Sequence, residues 1–376
     1  MVEIADVFIR HGAAYRAKFA QRIPSHHLKA MKAIEQCRTK ALGGHVYQCT
    51  DCGRLEYRYH SCKNRHCPKC QNKETGQWLA VQEELLLPVS YFLITFTLPE
   101  ELRNLARAHQ KLLYGIFFRA SAHALKQLAA DPRHLGGTIG MVGILHTWKR
   151  DSNFHPHIHF IVPAGALSSD RAAWLKPRYR DWLLPVKALS KLFRGKFRAM
   201  LNKAGLAHEL PRRVWKKRWN LHCKTAGTGR EVLKYLAPYV YRVAMTNRRI
   251  KALHDGKVTY TVKDSRGRLR KQTVEAEQFL RRFLQHVLPK GFQKVRYYGF
   301  FSSACRELLE RVRDILGSIP VEQKEVSEDI ELSENSSPGS GSPSHPTDRC
   351  RKCGGALRLY CKLEPFARSP PSAVAV

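Results

Sequence analysis

Apolar positions along the chain recur with two periods, and the alternation between them outlines a mixed fold. Over 1–41 the pattern predicts two helices split at Ile23-Pro24-Ser25, with Ser25 placed to cap the second. A short helix is expected over 75–86, ended by Pro88, and then Tyr91–Leu98 reads as a strand rich in aromatic and β-branched residues. Glu100 opens a helix expected to run unbroken to Ala130, with Leu102, Leu105, Leu112, Leu113 and Phe117 at three- and four-residue steps. Thr138–Trp148 and His155–Val162 alternate as strands. Helices follow over 186–204, 230–242, 275–288 and 302–316. A hairpin (258–262 and 269–274) and a short strand (295–300) lie among them. Strands and helices in this order predict an α+β fold, a central antiparallel sheet flanked by helices.

In the strand His155-Pro-His157-Ile-His159-Phe160-Ile161-Val162, side chains alternate between faces. His155, His157 and His159 therefore share one face, and Ile158, Phe160 and Val162 share the other. Neutral imidazole is a common metal ligand, so the strand reads either as a platform for a divalent ion or as a His-rich surface strand. Lys149–Phe154 has a turn composition. A hairpin centred on Asp151-Ser152 places His146 opposite His157, where it would serve as a third ligand, and Trp148 opposite His155.

The cysteines change the picture upstream. Cys49-Thr-Asp-Cys52 and Cys67-Pro-Lys-Cys70 are two CxxC knuckles, and their four thiolates are expected to close one tetrahedral, structural Zn²⁺ site. Cys37, His45, Cys62 and His66 remain for a second zinc. Cys350-Arg-Lys-Cys353 with Cys361 is at most half a knuckle.

Charge points to a partner. Against 31 acidic residues stand 65 Lys and Arg, a net charge of +34, which favours a polyanion, nucleic acid above all. Arg65 and Lys69 give the cysteine module a basic face. Further on, Arg178 and Arg180 lie among Trp174, Tyr179 and Trp182, and Lys234 and Arg242 lie on the 230–242 helix. Cations beside aromatic faces suit single-stranded nucleic acid; solvated helix faces over core tryptophans are the plainer alternative. No apolar run reaches the roughly 18 residues of a spanning helix, and the N-terminus lacks a signal-peptide core. A cytoplasmic, nucleoid-associated protein with reduced thiols is expected. Residues 321–335 hold six acids and one Lys, and 336–347 are rich in Ser, Pro and Gly, a linker composition. The expected domains are 1–75, helical and zinc-binding; 76–316, catalytic; 317–347, linker; and 348–376, a Cys-containing tail.

Arg230–Arg242 carries Val232, Leu236, Val240 and Val243 on one stripe, with Tyr235 and Tyr239 four apart beside it and Pro238 between. Such tyrosines commonly pack at a core rim. Taken with a metal strand and a polyanion substrate, they also suit phosphodiester cleavage by a protein nucleophile, since a phenol hydroxyl can attack phosphorus and retain the cut end.

At this point a resemblance covers about residues 30–316. His157-Ile158-His159 is similar to the His-hydrophobic-His motif of HUH endonucleases, and Tyr235 and Tyr239 to the pair of the two-tyrosine transposases. Ser61–Cys70, Leu145–Trp148, Lys234–Tyr239 and His286–Gly299, in that order, resemble the insertion sequence 91 family of rolling-circle transposases. The resemblance implies an HUH-type antiparallel sheet behind a zinc-binding domain, and Mg²⁺ or Mn²⁺ at His157 and His159. It implies nicking of single-stranded DNA at element ends through a 5′-phosphotyrosine on Tyr235 or Tyr239, followed by strand transfer to a target. A plasmid replication initiator or relaxase of the same class, and a non-catalytic zinc-finger DNA-binding protein, are the competing readings. The second tyrosine and the cysteine-rich N-terminus favour the transposase.

Overall fold

The computed structural model describes residues 2–70, 72–149, 151–241, 245–264, 267–317 and 349–366, with the backbone alone for 72–75, 238, 239 and 241. Arg242, nearly all of the expected linker and the side chain of Tyr239 therefore lie outside the described residues. The chain divides into two compact units, 1–35 with 64–318, and 36–63 with 319–376.

The larger unit begins with α1 (Ile4–Phe19) and α2 (Ser25–Gln36). These are followed by α3 (Asn72–Glu84) and by α4 (Gln110–Ala130). Then come α5 (Val186–Lys203), α6 (Arg230–Tyr241), α7 (Ala276–Leu284) and α8 (Arg306–Gly317). The two N-terminal helices group with this unit up to residue 35. Phe8 meets Phe283 of α7 edge-on at 5.3 Å, and Lys18 pairs with Glu277 at 2.7 Å.

In chain order the strands of its main sheet are βa (Tyr91–Thr97), βb (Met141–Trp148), βc (Phe154–Pro163), βd (Leu221–Thr225) and βe (Val295–Tyr298). Their spatial order is βe-βb-βc-βa-βd, antiparallel throughout, with the histidine strand βc at the centre. The expected α+β class and central antiparallel sheet are observed.

The sheet's two faces follow from alternation. Phe92, Ile94, Phe96, Leu145, Ile158 and Phe160 point into one core with Phe117 and Phe118 of α4 and Phe193 and Phe197 of α5. Phe96 packs edge-on against Phe160 at 5.7 Å and Phe193 at 5.0 Å. Each such ring contributes about 1.5–3 kcal/mol by burial, which makes this face the stable backing of the sheet. On the opposite face Tyr91, Val142, Ile144 and Ile161 join Leu233 and Leu236 of α6, Phe300, and Val312 of α8 in a second core. The histidines share that second face.

Two local expectations are corrected. The helix expected from Glu100 to Ala130 is broken: a 3-10 turn (Glu100–Leu102) and a short helix (Arg103–Ala108) precede α4. His109 sits between them at φ −122°, ψ 46°, outside the helical region, with no Gly or Pro to announce it. Trp148 opposes Phe154, not His155, because the pairing shifts between His146 and Trp148. Such an irregularity re-aims a side chain without a composition signal.

A separate three-stranded meander, Ile250–His254, Lys257–Lys263 and Leu269–Glu275, contains the predicted hairpin. The smaller unit is built on strands Gly44–Cys49, Leu55–Tyr59 and Leu357–Leu363, with Gly44–Cys49 in the middle.

Candidate metal centre and its surroundings

His146 of βb stands directly opposite His157 of βc, as the hairpin argument requires, and His159 opposes Ile144 one step along. The three histidines present ligand nitrogens all within 4.8 Å of one another. Their rings meet edge-on, with centroids 5.2 Å apart for His146 and His157, 4.6 Å for His146 and His159, and 4.8 Å for His157 and His159.

The ring nitrogens are oriented from behind. Nδ1 of His157 lies 2.8 Å from the carbonyl oxygen of His155. A carbonyl only accepts, so Nδ1 carries the proton and Nε2 keeps its lone pair. Nδ1 of His159 lies 2.9 Å from the Thr95 hydroxyl, on the facing position of βa. Burial pushes the His157 imidazole down to about 4, and holds those of His146 and His159 well below the usual histidine range, with the neighbouring imidazoles adding to it. All three are neutral at neutral pH, the form that ligates. His155 lies outside this group of ligand nitrogens, although its ring is 5.5 Å from that of His157: Arg103 donates to its Nδ1 at 3.4 Å.

The donor set fits a divalent ion. Three convergent neutral nitrogens sit on rigid strands, and for His157 and His159 an oxygen behind the ring holds Nδ1, as is usual for metal-binding histidines. Three such donors would leave further positions open on a bound ion.

The tyrosine helix α6 packs on this histidine face. Its buried residues Leu233 and Leu236 belong to the core that includes Ile144 and Ile161, the neighbours of His159 on βb and βc. The predicted stripe is rotated: Leu233 is buried, whereas Val232 and Val240 sit at the margin. Tyr235 is 49% exposed. Arg230 at the start of the helix pairs with Glu83 of α3 at 3.3 Å.

Beside the site, along edge strand βe, opens a cavity of about 1030 Å³. Trp148, which stacks on His146 at 5.7 Å, lines it with Trp78, Tyr297, Val240 of α6, and the cations Arg65, Arg119, Lys294, Arg296 and Arg306. No Asp or Glu is among its described lining residues. Lys294 lies with its Nζ 4.7 Å from the Trp148 ring centre, and burial pushes its pKa down to about 7.

Other predicted residues have found partners. Arg65 donates to the carbonyls of Phe292 and Pro289, and Lys69 pairs with Glu3 at 2.6 Å. His66 is buried and its Nε2 accepts from the backbone N–H of Leu288 at 3.1 Å, so that nitrogen serves the fold and not a zinc. His45 packs against His60 at 5.0 Å. Arg178 lies 5.6 Å from the Tyr179 ring; Arg180 and Lys234 are exposed.

The expected Cys49, Cys52, Cys67, Cys70 set is not the one formed. In the smaller unit Cys49 and Cys52 are grouped with Cys350 and Cys353. The reason is the sheet: Gly44–Cys49 pairs antiparallel with Leu357–Leu363, Cys49 opposite Leu357, which brings the later knuckle alongside. Cys67 and Cys70 belong to the larger unit, where Cys70 N–H bonds the Cys67 carbonyl at 3.2 Å.

Sequence reasoning missed Thr95, Lys294 and His286. Thr95 was findable, as one of two threonines, with Thr97, on the histidine side of a strand otherwise rich in apolar residues. His286, fully enclosed, bonds the Thr147 hydroxyl at 3.1 Å and the Ser152 carbonyl at 3.2 Å, and so braces the turn between βb and βc.

Comparison with known proteins bears on the family. Residues 140–308 match a family described as "Putative transposase", and residues 7–98 match a transposase zinc-binding domain. The protein "Putative transposase y4qJ" of Sinorhizobium fredii (strain NBRC 101917 / NGR234) is 42% identical over 343 residues, covering 85% of each chain. The transposase for insertion sequence element IS801 of Pseudomonas savastanoi pv. phaseolicola is 29% identical over 300 residues, covering 74% of this chain and 72% of that one. No solved structure matches significantly. The protein is therefore a transposase with a zinc-binding domain. Within that class, the chain belongs to the insertion sequence 91 family. Among its described residues, no helix is long and apolar enough to cross a membrane.

Proposed function

We propose that the chain is an HUH-class endonuclease and strand transferase acting on single-stranded DNA at the ends of its element. The observation that carries this reading is the His146, His157, His159 cluster lying on the same sheet face as the helix that bears Tyr235 and Tyr239. His157, His159 and His146 would hold Mg²⁺ or Mn²⁺, which when bound neutralises charge on the scissile phosphate. A tyrosine Oη attacks phosphorus, the bond to the 3′ oxygen breaks, the departing oxygen takes up a proton, and the tyrosine proton passes to solvent. The product is a 5′-phosphotyrosine with a free 3′-hydroxyl. Attack of a 3′-hydroxyl on that linkage restores the tyrosine and joins the strand to its target, the step that rolling-circle transposition requires.

The cation- and aromatic-lined cavity next to His146 supports a single-stranded substrate, whose unpaired bases can stack while phosphates meet arginines. Arg178, Arg180 and Lys234 are proposed phosphate contacts, and Arg242 a further one. Zinc is the structural metal of the zinc-binding domain.

The test is incubation with end-labelled single-stranded DNA from the element's ends and Mn²⁺, read on a denaturing gel. A covalent protein–DNA adduct is expected, lost in the Tyr235→Phe, Tyr239→Phe double variant. A protein that binds the DNA but forms no adduct is a binder only, and the proposal fails.

A further inference from the structure

We propose that Cys350 and Cys353 complete a tetrathiolate zinc site with Cys49 and Cys52, so that the metal of the smaller unit is held by knuckles some 300 residues apart in sequence. Neither matched family stretch reaches residue 350, and nothing in the resemblance extends there.

Geometry carries the assignment. Sγ of Cys49 lies 3.5 Å from Sγ of Cys353, and Sγ of Cys52 lies 3.7 Å from Sγ of Cys350. Four thiolates from two CxxC turns are the usual donor set of a closed zinc site. The two turns repeat one design. Cys49-Thr-Asp-Cys52-Gly53 and Cys350-Arg-Lys-Cys353-Gly354 each end in a glycine at positive φ, 67° and 78°. In each, the glycine N–H bonds the carbonyl of the first cysteine, at 3.1 Å for Gly53 and 2.9 Å for Gly354. The Lys352 N–H also points at Cys350 Sγ, 3.4 Å away, the backbone donation that supports a metal-bound sulfur.

The knuckles are locked together away from the sulfurs too. Thr50 N–H bonds the Ala356 carbonyl at 3.0 Å, and Arg351 N–H bonds Glu56 at 2.8 Å. Strand pairing between Gly44–Cys49 and Leu357–Leu363 runs on from there. Zinc binding displaces the thiol protons to solvent and involves no redox change.

The test uses the full-length protein purified with zinc. Each cysteine is alkylated with N-ethylmaleimide, with and without a chelator, and mapped by mass spectrometry. Cys49, Cys52, Cys350 and Cys353 should be protected together and become reactive together on chelation. Metal analysis of the Cys350→Ser, Cys353→Ser double variant should show one zinc fewer per chain, and Co²⁺ substitution should lose the tetrathiolate charge-transfer band of that site. Unchanged zinc content, or Cys350 and Cys353 alkylated at the same rate with and without chelator in the unmutated protein, overturns the assignment. The alkylation arm needs no substitution, so a misfolded variant does not blur the outcome. Protection of Cys49 and Cys52 that is lost in Cys67→Ser, Cys70→Ser but kept in the Cys350, Cys353 variant also overturns it. None of these readouts depends on DNA cleavage.

Discussion

The Nδ1–H of His157 is bonded to the carbonyl oxygen of His155, two residues back on the same strand, at 2.8 Å. The tautomer of this proposed ligand is thus set by main chain, which side-chain substitution at position 155 leaves in place. His155→Ala should therefore keep adduct formation within a few-fold of the unmutated protein, while His157→Ala should abolish it. An equal loss in both variants would refute this division of roles.

His159 is held differently, by the Thr95 hydroxyl at 2.9 Å. Thr95→Val keeps the shape and removes the partner. Losing a partner that orients a ligating imidazole weakens metal binding about 10–100-fold. A Mn²⁺ titration of adduct formation should shift its midpoint upward by that factor, with the plateau largely kept; an unshifted midpoint contradicts the role.

The all-imidazole donor set also discriminates between ions. Imidazole suits softer first-row ions, whereas Mg²⁺ prefers oxygen donors. Mn²⁺ should support adduct formation at a lower concentration than Mg²⁺. The opposite order would argue for oxygen ligands that the histidine cluster does not supply.

Acid should destabilise the larger unit through its enclosed imidazoles. The His286 pKa is pushed down to about 3 and that of His157 to about 4, both by burial first, against about 6.5 unfolded. The unfolded chain therefore binds protons that the folded one refuses. Stability is complete above pH 6.5 and falls as the pH drops toward 4, by up to about 1.4 kcal/mol per pH unit for each such group. Urea midpoints of the metal-free protein at pH 7.5 and 5 should differ accordingly, and equal midpoints would rule this out.

Arg119 and Arg306 are exposed cations on the cavity wall. If each meets a phosphate, replacing either with Ala should lower the salt slope of single-stranded DNA binding by about 0.7. An unchanged slope would place the strand elsewhere.

The histidine cluster was legible in the sequence because strand alternation and a short turn fix which side chains face one another; His146 and His157 needed nothing more. The slip at Trp148 was not legible, since an irregular pairing leaves no composition signal, and neither was the break at His109. The cysteines show a sharper limit. Cys49 and Cys52 were matched to the nearest knuckle in sequence, but pairing of Gly44–Cys49 with Leu357–Leu363 decided the partner, and long-range strand pairing cannot be read from spacing. Tyr235 and Tyr239 stood out only beside a metal strand, because two tyrosines four apart are as ordinary on a packed helix as on a catalytic one.

That strand pairing also sets a timetable. Cys49 and Cys353 are separated by 304 positions, so during synthesis the middle strand of the smaller unit pairs with Leu55–Tyr59 at once but waits for its second neighbour, Leu357–Leu363. At about 5–20 residues per second the interval is roughly 15–60 s. A nascent chain stalled in the larger unit would carry the first knuckle without the second, and a pulse of thiol label during translation should find Cys49 and Cys52 open until the last stretch is made.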